Sequence, residues 1–147
     1  MDNNVVSFQK LAEHRYEALQ EKLLYGIDTK DLNKYYDTVV KDSILHFTFL
    51  QKYLAEEFLG ETVIDSFTMG VKASKLRLDN KEIEEIQHVY FRDIQQQLKS
   101  LLGKHDLTQY LLEEDVKLIS KMANELSERW FRKGVIYGEK QRKLRLM

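Results

Sequence analysis

The sequence predicts an all-α protein, and two features of the chain carry that prediction. No proline is present in 147 residues, although turns commonly recruit proline for its fixed φ. Apolar residues recur at intervals of three and four, as on the buried face of a helix, and no alternating stretch of useful length is found. Since 147 residues is the length of one domain, we expect residues 1–147 to form a single-domain bundle of about five helices.

Glycines mark the expected ends of the helices. Apolar runs end at Gly26, Gly60 and Gly103, and glycine after such a run is a common helix stop because it adopts the left-handed conformation without a Cβ clash. Side chains that can cap the next helix follow each of them, and Asp79 and Asn80 supply a fourth break. These signals predict helices over 5–25, 29–59, 62–77, 80–102 and 107 to about 144.

Apolar stripes indicate how these helices pack. The first predicted helix has a thin stripe and should lie on the outside of the bundle, whereas the last two have continuous stripes and should face the core. The stripes are Phe8, Leu11, Ala12, Leu19 and Leu23 in the first helix, Ile83, Ile86, Tyr90, Ile94, Leu98 and Leu101 in the fourth, and Leu112, Val116, Ile119, Ala123, Leu126 and Trp130 in the fifth.

The second predicted helix is apolar on two faces. One face carries Tyr36, Val40, Phe47, Leu50 and Leu54, and nearly the opposite face carries Leu45, Phe49 and Tyr53. A helix that is apolar on both sides is usually covered by neighbours on both flanks. We therefore expect a central helix around 44–59, with a bend or break near Asp42–Ser43, where helix propensity is weakest.

The chain offers little that resembles an active site. It has no cysteine, which excludes a disulfide framework, a thiolate metal site and a cysteine nucleophile. Glu85 and His88 have the Glu-x-x-His spacing of di-iron bundles, but no second copy exists. Both residues also lie on the side of their helix away from its apolar stripe. We therefore expect them to be solvated.

The remaining titratable candidates also favour structural roles. His46 lies on the flank of the central helix and is expected to be a partly buried core histidine. Glu61 and Asp65 are expected in the first turn of the third helix, where carboxylates interact favourably with the helix dipole. We expect no catalytic residue, no metal and no cofactor, and a helical-bundle enzyme or metal protein is the least favoured hypothesis.

Charge is distributed unevenly along the chain. From residue 129 onward there are seven cations and one acid, whereas residues 1–128 hold 16 cations and 23 acids. A basic end on an acidic body is typical of a segment that binds phosphate or anionic lipid. The alternatives are cations that meet the helix dipole and a tail docked on the protein's own acidic surface. The candidate contacts to an anionic partner are Lys140, Arg142, Lys143 and Arg145.

Two glycines in the last helix predict close packing. Trp130, Gly134 and Gly138 are four residues apart and share one helix face, where missing side chains allow another backbone to approach. The approaching helix could belong to the same chain or to a second copy. The stretch that begins at Gly70 matches the one that begins at Gly138 at six of nine positions. We therefore expect Gly70 to pack against Gly134 and Gly138. The sequence match itself has two possible origins, an internal duplication or chance.

The end of the chain resembles a known family. The pattern Trp130-x-x-x-Gly134, followed by Glu139-Lys140-Gln141-x-Lys143-Leu144-Arg145, resembles the end of a small uncharacterised Bacillus family, the YbaK-type family, which is unrelated to the tRNA deacylase of that name. Chain length is similar, and Val5-Val6-Ser7-Phe8 resembles the opening of the family. The resemblance implies a Bacillus-type cytoplasmic protein and no catalytic activity.

Three functions follow in order of preference. The first is a non-enzymatic interaction module, either monomeric or homodimeric, that uses the C-terminal helix and its glycine face. The second is a binder of nucleic acid or anionic membrane through the basic C-terminal tail, and the third is the enzyme or metal protein.

The start, Met1-Asp2-Asn3-Asn4, lacks the features of a secretory signal, and no apolar run approaches the roughly 20 residues of a membrane span. We therefore expect a cytoplasmic protein.

Overall fold

The computed structural model describes residues 26–144, and the regular elements within this range are all helical, as the sequence predicts. The first predicted helix, 5–25, lies outside the described residues. The described elements are α1 (Thr29–Tyr35), a π-helical turn (Tyr36–Val40), α2 (Lys41–Ser43), α3 (Phe49–Ala73), a 3₁₀ helix (Ser74–Asp79), α4 (Ile83–Lys104), α5 (Leu107–Tyr110) and α6 (Glu113–Lys143).

The second predicted helix ends early, at Ser43. It begins after Asp28, whose carboxylate accepts a hydrogen bond from the backbone N–H of Asp31 at 3.1 Å. Near its end the Ser43 hydroxyl donates to the carbonyl oxygen of Val39 at 2.7 Å, a local bond that competes with helical pairing. The break expected near Asp42–Ser43 is therefore confirmed.

One long helix, α3, forms the centre of the bundle. Its start at Phe49 is fixed by a reciprocal capping box between Thr48 and Gln51. It then continues through Gly60 to Ala73, so the predicted stop at Gly60 and the separate helix 62–77 are wrong. Burial of apolar residues on both sides of Gly60 outweighs the cost of about 1 kcal/mol that glycine imposes on a helix. The central helix therefore covers 49–73 rather than 44–59.

Asn80 and Asp106, rather than glycines, adopt the left-handed conformation at the helix junctions. Their φ angles are 64° and 55°, and none of the glycines in the described range has a positive φ. Gly103 lies inside α4, so its predicted role as a helix stop is wrong. The last predicted helix is also interrupted, because the extended backbone of Leu111 and Leu112 separates α5 from α6.

The core lies mainly between α3 and α6, which run in the same direction. Near their starts, the Gln51 side-chain amide donates to the carbonyl oxygen of Tyr110 at 2.9 Å, just ahead of α6. Near their ends, Gly70 lies against Gly134. The largest fully buried side chains on these two helices are Phe58, Phe67, Trp130 and Phe131.

Candidate functional site

Gly70 and Gly134 bring the backbones of α3 and α6 into direct contact. A Cβ added to Gly70 would overlap the carbonyl oxygen of Phe131 and would lie 3.0 Å from the Cα of Gly134. A Cβ added to Gly134 would overlap the carbonyl oxygen of Phe67 and would lie 3.1 Å from the Cα of Gly70. The structure thus places this close helix approach within the chain, where the sequence left a second copy as the alternative.

Gly138 packs against the start of the 3₁₀ helix. A Cβ there would overlap the side chain of Ser74 and would lie 2.9 Å from the carbonyl oxygen of Val71. The Ser74 hydroxyl also accepts a hydrogen bond from Nε of Arg142 at 2.8 Å. The two similar stretches therefore lie side by side in their described part. Residues 70–73 end α3 and residues 74–78 are 3₁₀, whereas 138–143 are α-helical. Their origin by duplication stays a prediction.

Trp130 is fully buried at the same face of α6. Its Nε1 has no hydrogen-bond partner in the described part of the chain. The charged groups of Arg129 and Lys133 lie 5.9 Å and 5.8 Å from the centre of the indole ring, within the range of a cation–π interaction. Trp130 therefore anchors α6 in the core and also supports two of the cations of the basic segment.

Most of the described cations of the basic segment pair with the chain's own acids. Asp31 on α1 receives two of them, and Glu84 on α4 receives a third. The pairs are Arg129–Asp31 at 3.3 Å, Lys133–Asp31 at 3.2 Å, Arg132–Glu84 at 3.6 Å and Lys143–Glu139 at 3.1 Å. This arrangement favours docking on the chain's own surface over a free tail.

The four candidate contacts to an anionic partner are differently placed. The Arg142 guanidinium is occupied by Ser74, and Lys143 pairs with Glu139. Lys140 is exposed, and Arg145 lies outside the described residues. Burial acts to raise the pKa of Glu139, but hydrogen bonds from Lys143 and Arg77 outweigh it and lower that pKa overall. Lys140 and Lys143 are both exposed, and of the described members of this set only Lys140 makes no ion pair or side-chain hydrogen bond within the described residues.

The histidines are placed differently from the prediction. His46 is exposed, and its Nε2 lies 2.8 Å from Oδ1 of Asp115. The prediction that His46 is a partly buried core histidine is therefore wrong, because α2 ends at Ser43 and His46 lies in the turn that follows. His105 is the largely buried one, and its Nε2 lies 2.7 Å from Oε1 of Glu61. Lys104 contacts the other oxygen of Glu61 at 2.8 Å. These contacts arise only when α3 and α4 meet, and no local sequence signal reveals them.

Glu61 and Asp65 are not in a first helical turn, because α3 is continuous. Both are buried, and Glu61 is only 3% exposed. Glu56 is buried five residues earlier and accepts a hydrogen bond from the Tyr36 hydroxyl at 2.9 Å. Burial raises the pKa of Glu56, although the Tyr36 hydrogen bond acts in the opposite direction.

Within residues 26–144, no three side chains of His, Cys, Asp or Glu are grouped so that they could hold a metal ion.

The second apolar face of the central helix is largely uncovered. Its side chains lie at the start of α3 and in the turn before it, and Leu50 of the first face is exposed beside them. We call these four residues the α3 patch: Leu45 (64% exposed), Phe49 (79%), Leu50 (51%) and Tyr53 (55%). Phe49 and Tyr53 are four residues apart and share one face of α3, and Leu50, three residues before Tyr53, is a neighbour of Tyr53 on the helix surface. The expectation that neighbours cover this helix on both flanks is therefore wrong at its start.

The α3 patch has a sequence signal that could have identified it. Leu45, Phe49 and Tyr53 form the second apolar face of the predicted central helix, and Leu50 belongs to its first face. Soluble proteins rarely expose large apolar side chains in contiguous groups unless the group serves an interaction. The pattern itself is visible in the sequence, but its exposure is decided by the path of the neighbouring helices.

Comparisons with known proteins add no further assignment. No family model, curated protein or solved structure matches the chain. The resemblance to the YbaK-type family and the cytoplasmic location therefore stay predictions. Among the described helices, none combines the length and apolar character that crossing a membrane requires.

Proposed function

We propose that the chain is a non-enzymatic interaction module that forms a homodimer through the α3 patch. The exposure of Phe49 and Tyr53, at 79% and 55%, is the observation that carries this proposal. Two aromatic rings on one helix face, in water, favour burial against another apolar surface. Because the members of the patch are uncharged, two copies related by a two-fold axis can meet there without like-charge repulsion.

The location of the patch differs from the C-terminal helix that the sequence favours. The glycine face of α6 is covered by α3 of the same chain, so a partner helix would first have to displace α3. The cations of the basic segment are largely engaged with Asp31, Glu84 and Glu139. The α3 patch, by contrast, is exposed, so none of the described helices has to move for a partner to reach it.

The mass of the protein in solution tests the proposal. Sedimentation equilibrium of the native chain should show a monomer–dimer equilibrium, and the double variant Phe49→Ser/Tyr53→Ser should remain monomeric. Phe91→Ser is the matched control, because Phe91 is an aromatic residue of similar exposure on α4, away from the patch. A native chain that stays monomeric up to its solubility limit, or a double variant that still dimerises, would refute the proposal.

A further inference from the structure

A crevice opens between α4 and α6 on a different part of the molecule. It has a volume of about 310 Å³ and is lined by Phe58, Gln95, Leu98, Lys99, Leu102, Ser120, Ala123 and Asn124. Leu98 and Leu102 of α4 face Ser120 and Ala123 of α6, whose small side chains do not fill the space between the two helices. The crevice is therefore a consequence of side-chain size at this contact.

The lining separates into an apolar part and a polar part. Phe58, Leu98, Leu102 and Ala123 supply the apolar part, and three of them belong to the buried core. In the polar part, the Gln95 amide donates to the side-chain oxygen of Asn124 at 3.2 Å. Small-molecule sites typically start at about 300 Å³ and combine an apolar lining with a few polar groups, which is the composition found here.

Lys99 gives the crevice its charge. The lining contains no acidic side chain, and Lys99 is exposed and pairs with no carboxylate in the described part of the chain. Lysine commonly lays its methylene stem along apolar surface while its ammonium group stays in water. Lys104, a few residues further on, is instead held by Glu61. Lys99 is therefore available to pair with an anionic ligand group.

We propose that this crevice binds an amphipathic carboxylate, with its hydrocarbon chain between α4 and α6 and its carboxylate against Lys99. The apolar part matches the chain, and the unpaired ammonium group matches the head. Each methylene that enters the crevice should strengthen binding by roughly fourfold, until the chain is too long for the available volume. This site is separate from the α3 patch and does not depend on dimer formation.

Titration of the native protein with octanoate, with 1-octanol as the uncharged probe, tests the proposal. Lys99→Gln should weaken octanoate binding by roughly two- to fivefold, the range of an exposed ion pair, and leave octanol binding unchanged. Ser120→Leu fills the crevice and should abolish the binding of both probes. Lys121→Gln is the control, because Lys121 is an exposed lysine of α6 that does not line the crevice.

The position of the bound probe gives a second measure that does not depend on variants. In the native protein, the methyl NMR signals of Leu98, Leu102 and Ala123 should shift when octanoate is added. Absence of octanoate binding, or shifts confined to other residues, would overturn the proposal even if Ser120→Leu proved unable to fold. Equal octanoate affinity in the native chain and in Lys99→Gln would overturn the assigned role of Lys99.

Discussion

At the scale of single residues, Gly134 and Gly103 show how the surroundings decide what a helical glycine does. Both lie inside long helices. A Cβ on Gly134 would overlap the backbone of α3, whereas a Cβ on Gly103 would have no atom within 4 Å among its surroundings. The same substitution should therefore have opposite effects at the two positions.

We expect Gly134→Ala to lower the free energy of unfolding by about 1–3 kcal/mol, because α3 and α6 must move apart to make room for the added methyl group. Gly103→Ala should raise it by up to about 1 kcal/mol, since alanine has the higher helix propensity. Urea denaturation followed by circular dichroism measures both changes. Equal stability of the native chain and Gly134→Ala would contradict the close backbone contact.

Glu56 carries a second residue-scale prediction. Its pKa in the folded chain is raised above the usual 4.5, mainly by burial, so protonation of Glu56 favours the folded state. The stabilisation from the protonated form is fully present below pH 4.5 and is lost as the pH rises through the raised pKa. At neutral pH the buried carboxylate therefore lowers the stability of the fold.

Glu56→Gln removes this charge and keeps an oxygen that can accept the Tyr36 hydrogen bond. We expect the variant to be more stable than the native chain at pH 7, and the difference to shrink as the pH falls toward 4.5. Thermal denaturation at several pH values measures this, with Glu128→Gln, at an exposed position of α6, as the control. A difference in stability that does not depend on pH would contradict the prediction.

At the scale of helices, the sequence predicts the class and most of the boundaries, and it fails where tertiary contacts decide. The start of α4 is predicted within three residues, and the break after α2 is predicted at Ser43. Gly60 does not end α3, because buried residues on both sides outweigh its low propensity. The left-handed stops at Asn80 and Asp106 could not be separated from ordinary capping residues by pattern alone.

The site shows the same division between local and tertiary information. The shared face of Gly134 and Gly138 is visible in the sequence, and so is the apolar character of Phe49 and Tyr53. The sequence does not show that α3 of the same chain covers the glycines, or that the aromatic face stays exposed. Both outcomes depend on the relative path of the helices, to which Gly70 contributes through its contact with α6.

The last turn of α6 carries a prediction at this scale. Arg142→Met removes the hydrogen bond from Arg142 to Ser74, and we expect faster amide hydrogen exchange at the end of α6 and a loss of stability of about 1 kcal/mol. Lys140→Met removes an exposed cation of the same turn and should cost only about 0.3 kcal/mol, through the helix dipole, with little change in the exchange rates. If both variants behaved alike, the basic end would not be held by this contact, and a free anion-binding tail would become the better interpretation.

At the scale of the whole molecule, the division into an acidic body and a basic end has a structural basis. The first turn of α6 contains Glu113, Glu114 and Asp115, and its last turn contains Lys140, Arg142 and Lys143. This order matches the helix dipole, which favours acids at the start of a helix and cations at its end. The charge asymmetry therefore stabilises α6 and does not by itself require an anionic partner.

The dimer proposed through the α3 patch belongs to the same scale. Lys52 immediately precedes Tyr53 on α3, close to the patch, while Lys140 lies near the far end of α6. Since the chain has no cysteine, Lys52→Cys and Lys140→Cys each accept a single nitroxide spin label. The distance between labels on two copies then reports which ends of the molecules meet.

Dipolar electron paramagnetic resonance on these two labelled variants is the most direct test of the central claim. We expect a short and narrow distance between the labels at position 52 and a much longer one at position 140, because the patches meet and the C-terminal ends point apart. A short distance at position 140 with none at position 52, or no intermolecular distance at either position, would contradict dimerisation through the α3 patch.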